Sequence, residues 1–429
     1  MNTTAPTSPE HRARKAPTLV DLNLPDPLRA SLDLCVKCTI CETQCPVARV
    51  TPLFSGPKFV GPQAERYRSS ELSVDHSIDY CSSCGTCTLV CPQGVKVAEI
   101  NHHARTKMKE DVTGFPLRDR LISRTTLMGQ MMTPVAPIAN WALRQKPLRA
   151  LVEDAIGIHR KAPMPVADGY TFEGWFKKHT PQPQGGTQGQ VIFFHGCAGE
   201  YFEVATSIQS VQVLEHLGFE VLVPHHGCCG LALQSNGLYA DARRYVDKLT
   251  KQLRSVNRNA PIVTASGSCG GMLKHEAAEI AGVKSERLED VSHRVYDISE
   301  FLLDLYDRGE LDLNFTPLNM TVPYHAPCQP LSAGMGMPAI ELMGLIPGVT
   351  VVESEQPCCG IAGTYGLKKE KYDIAQAVGQ PVFDFIKREN PDFAVCDTET
   401  CRWQIRGGTG AQVEHPIWLL NKAYGLPEA

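Results

Sequence analysis

No run of 18 apolar residues occurs in this 429-residue chain, so no segment is expected to span a bilayer. The start, MNTTAPTSPEHRARKAPT, lacks the apolar core of a secretory signal. Arg12 and Arg14 are separated by Ala13, so a twin-arginine pair is missing too. The net charge of −4 removes any global attraction to nucleic acid or anionic lipid. No G-x-G-x-x-G follows a strand pattern and no G-x₄-G-K-[ST] occurs; the stretches GGTQG and GGTG lack that context. The chain is therefore expected to bind no flavin, nicotinamide or nucleotide. No nucleophile–base pair stands out either, and the catalytic residues are unknown from sequence.

What the chain has is cysteine, 17 of them. In a short secreted chain this would read as a disulfide scaffold. Here the cysteines stand at metal-ligand spacing, which fits a reducing cytoplasm. Cys35, Cys38, Cys41 and Cys45 read C-x₂-C-x₂-C-x₃-C, closed by Pro46. Cys81, Cys84, Cys87 and Cys91 repeat it, closed by Pro92. This is the bacterial two-cluster ferredoxin run, in which the fourth Cys ligates the other cluster. The pattern predicts one [4Fe–4S] cluster on Cys35, Cys38, Cys41 and Cys91. A second is predicted on Cys81, Cys84, Cys87 and Cys45. Structural zinc usually pairs two C-x₂-C knuckles without this triplet and Cys-Pro.

Residues 1–25 read as a disordered, mildly basic arm, too poor in apolar residues to form a core. Residues 26–110 hold the double ferredoxin-type module, expected to be helical. Residues 111–189 form a connector that is apolar, Met-rich and punctuated by Pro134, Pro137 and Pro147. It reads either as short helices covering the ferredoxin module or as an amphipathic surface for a partner or the bilayer interface. Within it Leu127, Met128, Met131, Met132, Val135, Ile138, Trp141 and Leu143 are bordered by Arg124, Arg144, Lys146 and Arg149. Residues 181–189, PQPQGGTQG, read as a flexible boundary.

The remainder repeats itself. Cys197, the pair Cys228–Cys229 and Cys269 recur as Cys328, the pair Cys358–Cys359 and Cys401, offset by 131, 130 and 132 residues. Each Cys-Cys is followed by glycine, Gly230 or Gly360. Two copies of one domain are implied, at 190–315 and 316–429. Apolar runs at 191–194, 219–224, 261–265, 321–325, 349–353 and 393–397 read as strands. Residues 203–216, 238–256 and 369–388 read as helices. This alternation predicts two tandem parallel α/β lobes. The cysteines follow strands, where open α/β sheets bind ligands. One metal pocket per lobe is expected: Cys197, Cys228, Cys229 and Cys269 in the first, Cys328, Cys358, Cys359 and Cys401 in the second. Neighbouring thiolates can reach different irons of one cluster, and the glycine lets the backbone turn close to it. His195, His225, His226 and His325 each lie within three residues of a motif cysteine. They are expected to donate to sulfur and tune potential, or to ligate or bind quinone. Arg402 and Trp403 read as packing and salt-bridge residues.

The Cys-Cys-Gly domains resemble those of heterodisulfide reductase catalytic subunits. Joined to a double ferredoxin module, they resemble the iron–sulfur subunits of flavin dehydrogenases for glycerol 3-phosphate, glycolate and lactate. Residues 51–66, TPLFSGPKFVGPQAER, and 117–140, LRDRLISRTTLMGQMMTPVAPIAN, are most similar to the iron–sulfur subunits of anaerobic glycerol-3-phosphate dehydrogenases. The ending TETCRWQI followed by EHPIWLLNKAYG is similar to that group as well. The resemblance implies a flavoprotein dehydrogenase partner, a membrane quinone acceptor and a peripheral place on the inner face of the cell membrane. In the fullest form of the Cys-Cys-Gly pattern a C-x₂-C pair closes each domain, giving five cysteines for a noncubane cluster. Here Ser266 and Thr398 stand at the first of those positions. That leaves a cubane, a zinc ion or an oxygen-supplemented cluster open, with Cys396 a further candidate ligand in the second lobe. The leading expectation is an electron-transfer subunit of anaerobic glycerol-3-phosphate dehydrogenase. Its rivals are a glycolate or lactate dehydrogenase subunit, a disulfide reductase and a zinc-bearing assembly scaffold.

Overall fold

The computed structural model describes residues 27–66, 75–181, 187–390 and 392–429. The expected arm at 1–25 and part of the boundary at 181–189 lie outside the described residues.

Two four-stranded sheets carry the C-terminal half. The first comprises β1 (Gly189–Phe193), β2 (Phe219–Leu222), β3 (Ile262–Thr264) and β4 (Val295–Asp297) in the order β2-β1-β3-β4, with every pairing parallel. The second comprises β5 (Met320–Tyr324), β6 (Val349–Glu353), β7 (Phe393–Val395) and β8 (Gln412–Glu414) in the order β6-β5-β7-β8, again all parallel. The identical strand order is the structural counterpart of the sequence repeat. Both faces of a parallel sheet are covered by crossover helices, so its strands read as continuous apolar runs rather than alternating ones. Val191 to Phe194 are all fully buried. The helices Val204–His216, Tyr239–Arg254 and Tyr372–Glu389 cover the sheets.

The lobes share one core. Val191, Phe193 and Val263 of the first sheet and Val322, Tyr324 and Val395 of the second belong to a single buried cluster. Helix Val204–His216 packs on helix Pro416–Ala423 of the other lobe, where Asn421 Nδ2 donates to Gln212 Oε1 at 2.8 Å.

The N-terminal module is helical, as expected. Its longest helix, Val97–Met108, buries Ile100, Ala104 and Met108. Ion pairs weld the module to the second lobe: Asp119, itself in the connector, meets Lys109 at 3.0 Å and Lys368 at 2.9 Å, and Lys371 meets Asp79 at 2.6 Å. The connector is a set of short helices, Leu117–Ile122, Thr125–Met132, Ala136–Arg144, Lys146–Ile156 and Phe172–Phe176. Pro134 and Pro147 each fall in the first turn of a helix, where a missing N–H costs nothing. The reading that these helices cover the ferredoxin module needs correction. Met128 and Met132 pack with Tyr201, Phe202 and Trp403 of the lobes, and Gly129 abuts the Tyr201 ring.

Candidate metal and electron-transfer centre

In the N-terminal module both cysteine runs fold alike. Lys37 and Thr39 take positive φ (60° and 70°), as do Ser83 and Gly85 (61° and 80°) at the matching positions. Non-glycine residues rarely adopt this conformation, and such strain persists where it serves a site. Here it turns the chain twice within six residues, so three thiols converge ahead of a single helical turn. Cys35, Cys38, Cys41 and Cys91 line one small cavity together with Val36, Ile40 and Pro92. Cys91 is thus separated from its sequence neighbours Cys84 and Cys87 by the turn at Pro92. Cys45 lies instead with Cys81 in a different buried cluster. Cys41 is pushed up to about 11 by burial, then by Glu42 and by Cys35, Cys91 and Cys38. Cys45 is pushed up to about 12 by burial and by Cys84 and Cys81. The crossed grouping expected from the Cys-Pro spacing is therefore the grouping of thiols in space. Four converging sulfurs per group fit a [4Fe–4S] cluster, which would release their protons on binding.

The two groups differ in exposure. Cys38 is exposed, and the flanking Leu34, Val36 and Ile40 are exposed as well. Cys81 and Cys87 are buried, and Cys84 interacts directly with Cys358 and Cys328 of the second lobe. Cys45, Cys81 and Cys358 share one buried cluster, with Cys328 packed against it.

The lobe cysteines do come together as quartets. In the first lobe Cys229 Sγ lies 3.4 Å from Cys269 Sγ, and Cys197 interacts with Cys228. In the second, Cys328, Cys358, Cys359 and Cys401 interact in the same chain. Gly230 N–H donates to Cys228 Sγ at 3.4 Å, and Gly360 N–H to Cys358 Sγ at 3.2 Å. Both glycines have positive φ (85° and 91°), and a Cβ on Gly360 would run into the Ala375 carbonyl. Bonds from the neighbouring thiols and this N–H pull Cys228 and Cys358 well below the ordinary thiol range, though burial opposes it. Each Cys-Cys pair thus holds one ready thiolate.

One pocket per lobe is not what the structure has. All eight quartet cysteines, together with Cys84, line a single central cavity. The reason is lobe packing. Helices Gly267–Gly271 and Cys328–Ser332 lie against each other, Ser268 Oγ donates to Gln329 Oε1 at 2.8 Å, and Ser266 Oγ donates to Glu399 Oε2 at 3.0 Å. The carboxyl ends of the two sheets therefore open toward one space. The cavity wall is mostly apolar, with Met128, Phe202, Ile361 and Trp403 among its residues.

The positions where the fullest cysteine pattern is broken differ from each other. Ser266 caps its helix by accepting from Cys269 N at 3.3 Å and donates to Glu399, so its hydroxyl is committed. Thr398 lines the cavity with a buried hydroxyl that has no partner. An oxygen without a partner beside Cys401 fits a site completed by oxygen. Cys396 is fully buried against Cys401, outside the cavity wall.

The four histidines are not brought to the cavity: none is among its lining residues. His195 and His226 stack on each other with ring centroids 3.9 Å apart, behind the first quartet. His225 is exposed and pairs with Glu173 at 2.8 Å. His325 is buried, its Nδ1 is 3.0 Å from Ser354 Oγ, and burial pushes it down to about 4. Arg402 and Trp403 do hold an ion-pair network, on Glu203, at 3.1 and 2.6 Å. Several polar residues at the cavity carry no sequence motif. Thr125 Oγ1 donates to Cys197 Sγ at 2.9 Å. Glu276 is kept neutral up to about 7 by burial, even though Gln329 donates to it at 2.8 Å. His102 and Gln234 line the wall as well. Only their fold-dependent convergence marks them.

Similarity to known proteins assigns this geometry to a family. The family model described as a 4Fe-4S dicluster domain matches residues 31–95, and that of a cysteine-rich domain matches twice, at 191–274 and 322–406. The iron–sulfur subunit of the anaerobic glycerol-3-phosphate dehydrogenase of Escherichia coli K12 is 37% identical over 397 residues, covering 92% of this chain and 98% of the relative. The chain belongs to the family of that iron–sulfur subunit. More distant relatives include a subunit of the fumarate reductase (CoM/CoB) of Methanothermobacter marburgensis, 26% identical over 91% of this chain and 72% of the relative. The glycolate oxidase iron-sulfur subunit of E. coli K12 is 24% identical over 91% and 94%. As a member of the glycerol-3-phosphate dehydrogenase family this chain is an iron–sulfur electron-transfer protein, and its two tandem cysteine-rich domains are the repeat read from the sequence.

Proposed function

We propose that this chain carries electrons from a flavoprotein subunit that oxidises glycerol 3-phosphate to a membrane quinone. The observation that carries the reading is the unbroken row of thiols. It runs from exposed Cys38 through Cys41 and Cys91 to the Cys45, Cys81, Cys84 and Cys87 group. From Cys84 it meets Cys358 and Cys328 at the central cavity. Iron–sulfur clusters on these thiols supply one-electron steps over short distances. We assign Cys35, Cys38, Cys41 and Cys91 to one cluster and Cys45, Cys81, Cys84 and Cys87 to the other. Cys197, Cys228, Cys229 and Cys269 are assigned to a metal centre of the first lobe. Cys328, Cys358, Cys359 and Cys401 are assigned to that of the second. Leu34, Val36 and Ile40 form the apolar landing area beside the entry cluster. Mixing the anaerobic holoprotein with the partner flavoprotein and glycerol 3-phosphate should bleach the cluster absorbance. Glycolate or lactate should not. Bleaching by either 2-hydroxy acid, each with its own flavoprotein, and not by glycerol 3-phosphate would reassign the partner.

Contact with the membrane is proposed through the connector. Among the described residues no helix is long and apolar enough to cross a membrane. Helices Thr125–Met132, Ala136–Arg144 and Lys146–Ile156 leave Met131, Ile138 and Leu151 68%, 67% and 65% exposed, with Leu127, Val135, Trp141 and Leu148 exposed around them. Scattered exposed apolar side chains need no explanation; a contiguous patch does. Met128 and Met132, by contrast, are spent on packing, and Arg149 is buried, donating to the carbonyls of His159, Arg160 and Ala162. Arg144 and Lys146 remain exposed for anionic headgroups, each contributing about 1 kcal/mol near the surface. Liposomes of anionic lipid should co-sediment the holoprotein at low salt, and Ile138→Ser with Trp141→Ala should leave it in the supernatant. Wild-type protein left in the supernatant would move the anchoring to another subunit.

A further inference from the structure

Behind the first quartet, on the side away from the central cavity, three side chains from separate elements converge. Glu173 comes from the connector helix Phe172–Phe176, His195 from the end of β1, and Glu200 from the helix Gly196–Tyr201. Their ligand atoms lie within 4.8 Å of one another. His195 is the informative member. Its side chain is 1% exposed, and its Nδ1 sits 2.9 Å from the Gly196 carbonyl. A carbonyl only accepts, so Nδ1 carries the proton and Nε2 presents its lone pair. Nε2 is buried, has no hydrogen-bond partner, and faces Glu173 Oε1 at 3.6 Å. Nδ1 lies 3.6 Å from Glu200 Oε2, while Glu200 also accepts the Glu173 backbone N–H at 3.0 Å.

A lone pair and a carboxylate facing each other in a buried place repel unless a positive charge lies between them. A spacing of 3.6 Å is too long for a hydrogen bond. It is the spacing of two ligands on one ion: Zn–N and Zn–O bonds of about 2.0–2.2 Å set the edge of a tetrahedron at about 3.4 Å. The backbone acceptor on Nδ1 is the outer-sphere arrangement that orients metal-bound histidines. His226 stacks on the His195 ring and holds its plane. Exposed His225, on Glu173, leaves the solvent side open to a water ligand.

We propose that Glu173, His195 and Glu200 bind a divalent cation of the zinc class at a nitrogen–oxygen site distinct from every cysteine pocket. Two carboxylates and an imidazole suit a borderline ion such as Zn²⁺. Bound there, it fastens the connector to the strand end that leads into Cys197.

The test uses the anaerobically purified full-length holoprotein, loaded with Zn²⁺ and washed free of weakly held metal. It should keep a zinc whose X-ray absorption edge reports nitrogen and oxygen ligands. The variant Glu173→Gln with Glu200→Gln should lose one zinc per chain and keep its iron. If that variant also loses iron, the wild-type edge alone decides. No retained zinc, zinc with sulfur ligands only, or a zinc content unchanged in the variant each overturns the site.

Discussion

Cys45→Ser should remove the cluster held by Cys81, Cys84 and Cys87 and spare the one beside its own sequence neighbours. The proximity of Cys45 to Cys84 and Cys81 predicts this, as does the seat of Cys91 in the Cys35–Cys38–Cys41 cavity. Iron in the module should fall from about eight to about four per chain, as expected for loss of one of two [4Fe–4S] clusters. Dithionite should then give the signal of an isolated reduced cluster in place of a spin-coupled pair. Cys91→Ser should do the opposite and remove the exposed cluster. Loss of the Cys35 group on mutating Cys45 would contradict the crossed arrangement.

The second large effect is expected in the lobes. Cys228 and Cys358 are the pair members pulled toward thiolate, each with a glycine N–H on sulfur. Cys228→Ala and Cys358→Ala should each strip the metal from its own lobe and leave the other lobe loaded, as metal analysis of the two variants would show. Because Cys358 also lies in the buried cluster with Cys45 and Cys81, Cys358→Ala should further shift the potential of the adjoining ferredoxin cluster. Cys228→Ala should leave that potential where it is. Metal contents unchanged in both variants would make the quartets structural thiols.

Much of this was legible because metal-binding cysteines are spaced by local backbone geometry. C-x₂-C-x₂-C needs only two left-handed residues and a helical turn, which Lys37 and Thr39, and Ser83 and Gly85, provide without help from distant chain. Strands in parallel sheets are continuous apolar runs, so 191–194 and 349–353 stand out in the sequence, and the latter is β6 to the residue. The short strands Val295–Asp297 and Gln412–Glu414 do not, because three residues between helices carry no run. The joined cavity was not legible either. It depends on how Gly267–Gly271 meets Cys328–Ser332, a contact that joins Ser268 to Gln329 across 61 positions of chain. The same limit explains the histidines. Proximity to a cysteine along the chain placed His195 and His226 at the sulfur, yet the strand end turns them to the opposite side, toward Glu173. Thr125, Glu276 and Thr398 became visible only through burial and convergence.

The most direct test of the electron path is turnover in the assembled complex. With its flavoprotein partner and glycerol 3-phosphate, the wild-type chain should support reduction of a water-soluble quinone analogue. The Cys45→Ser chain should abolish that reduction while the flavoprotein still reduces an artificial dye directly. Quinone reduction at an equal rate with the Cys45→Ser chain, or with no chain at all, would contradict a path through these cysteines.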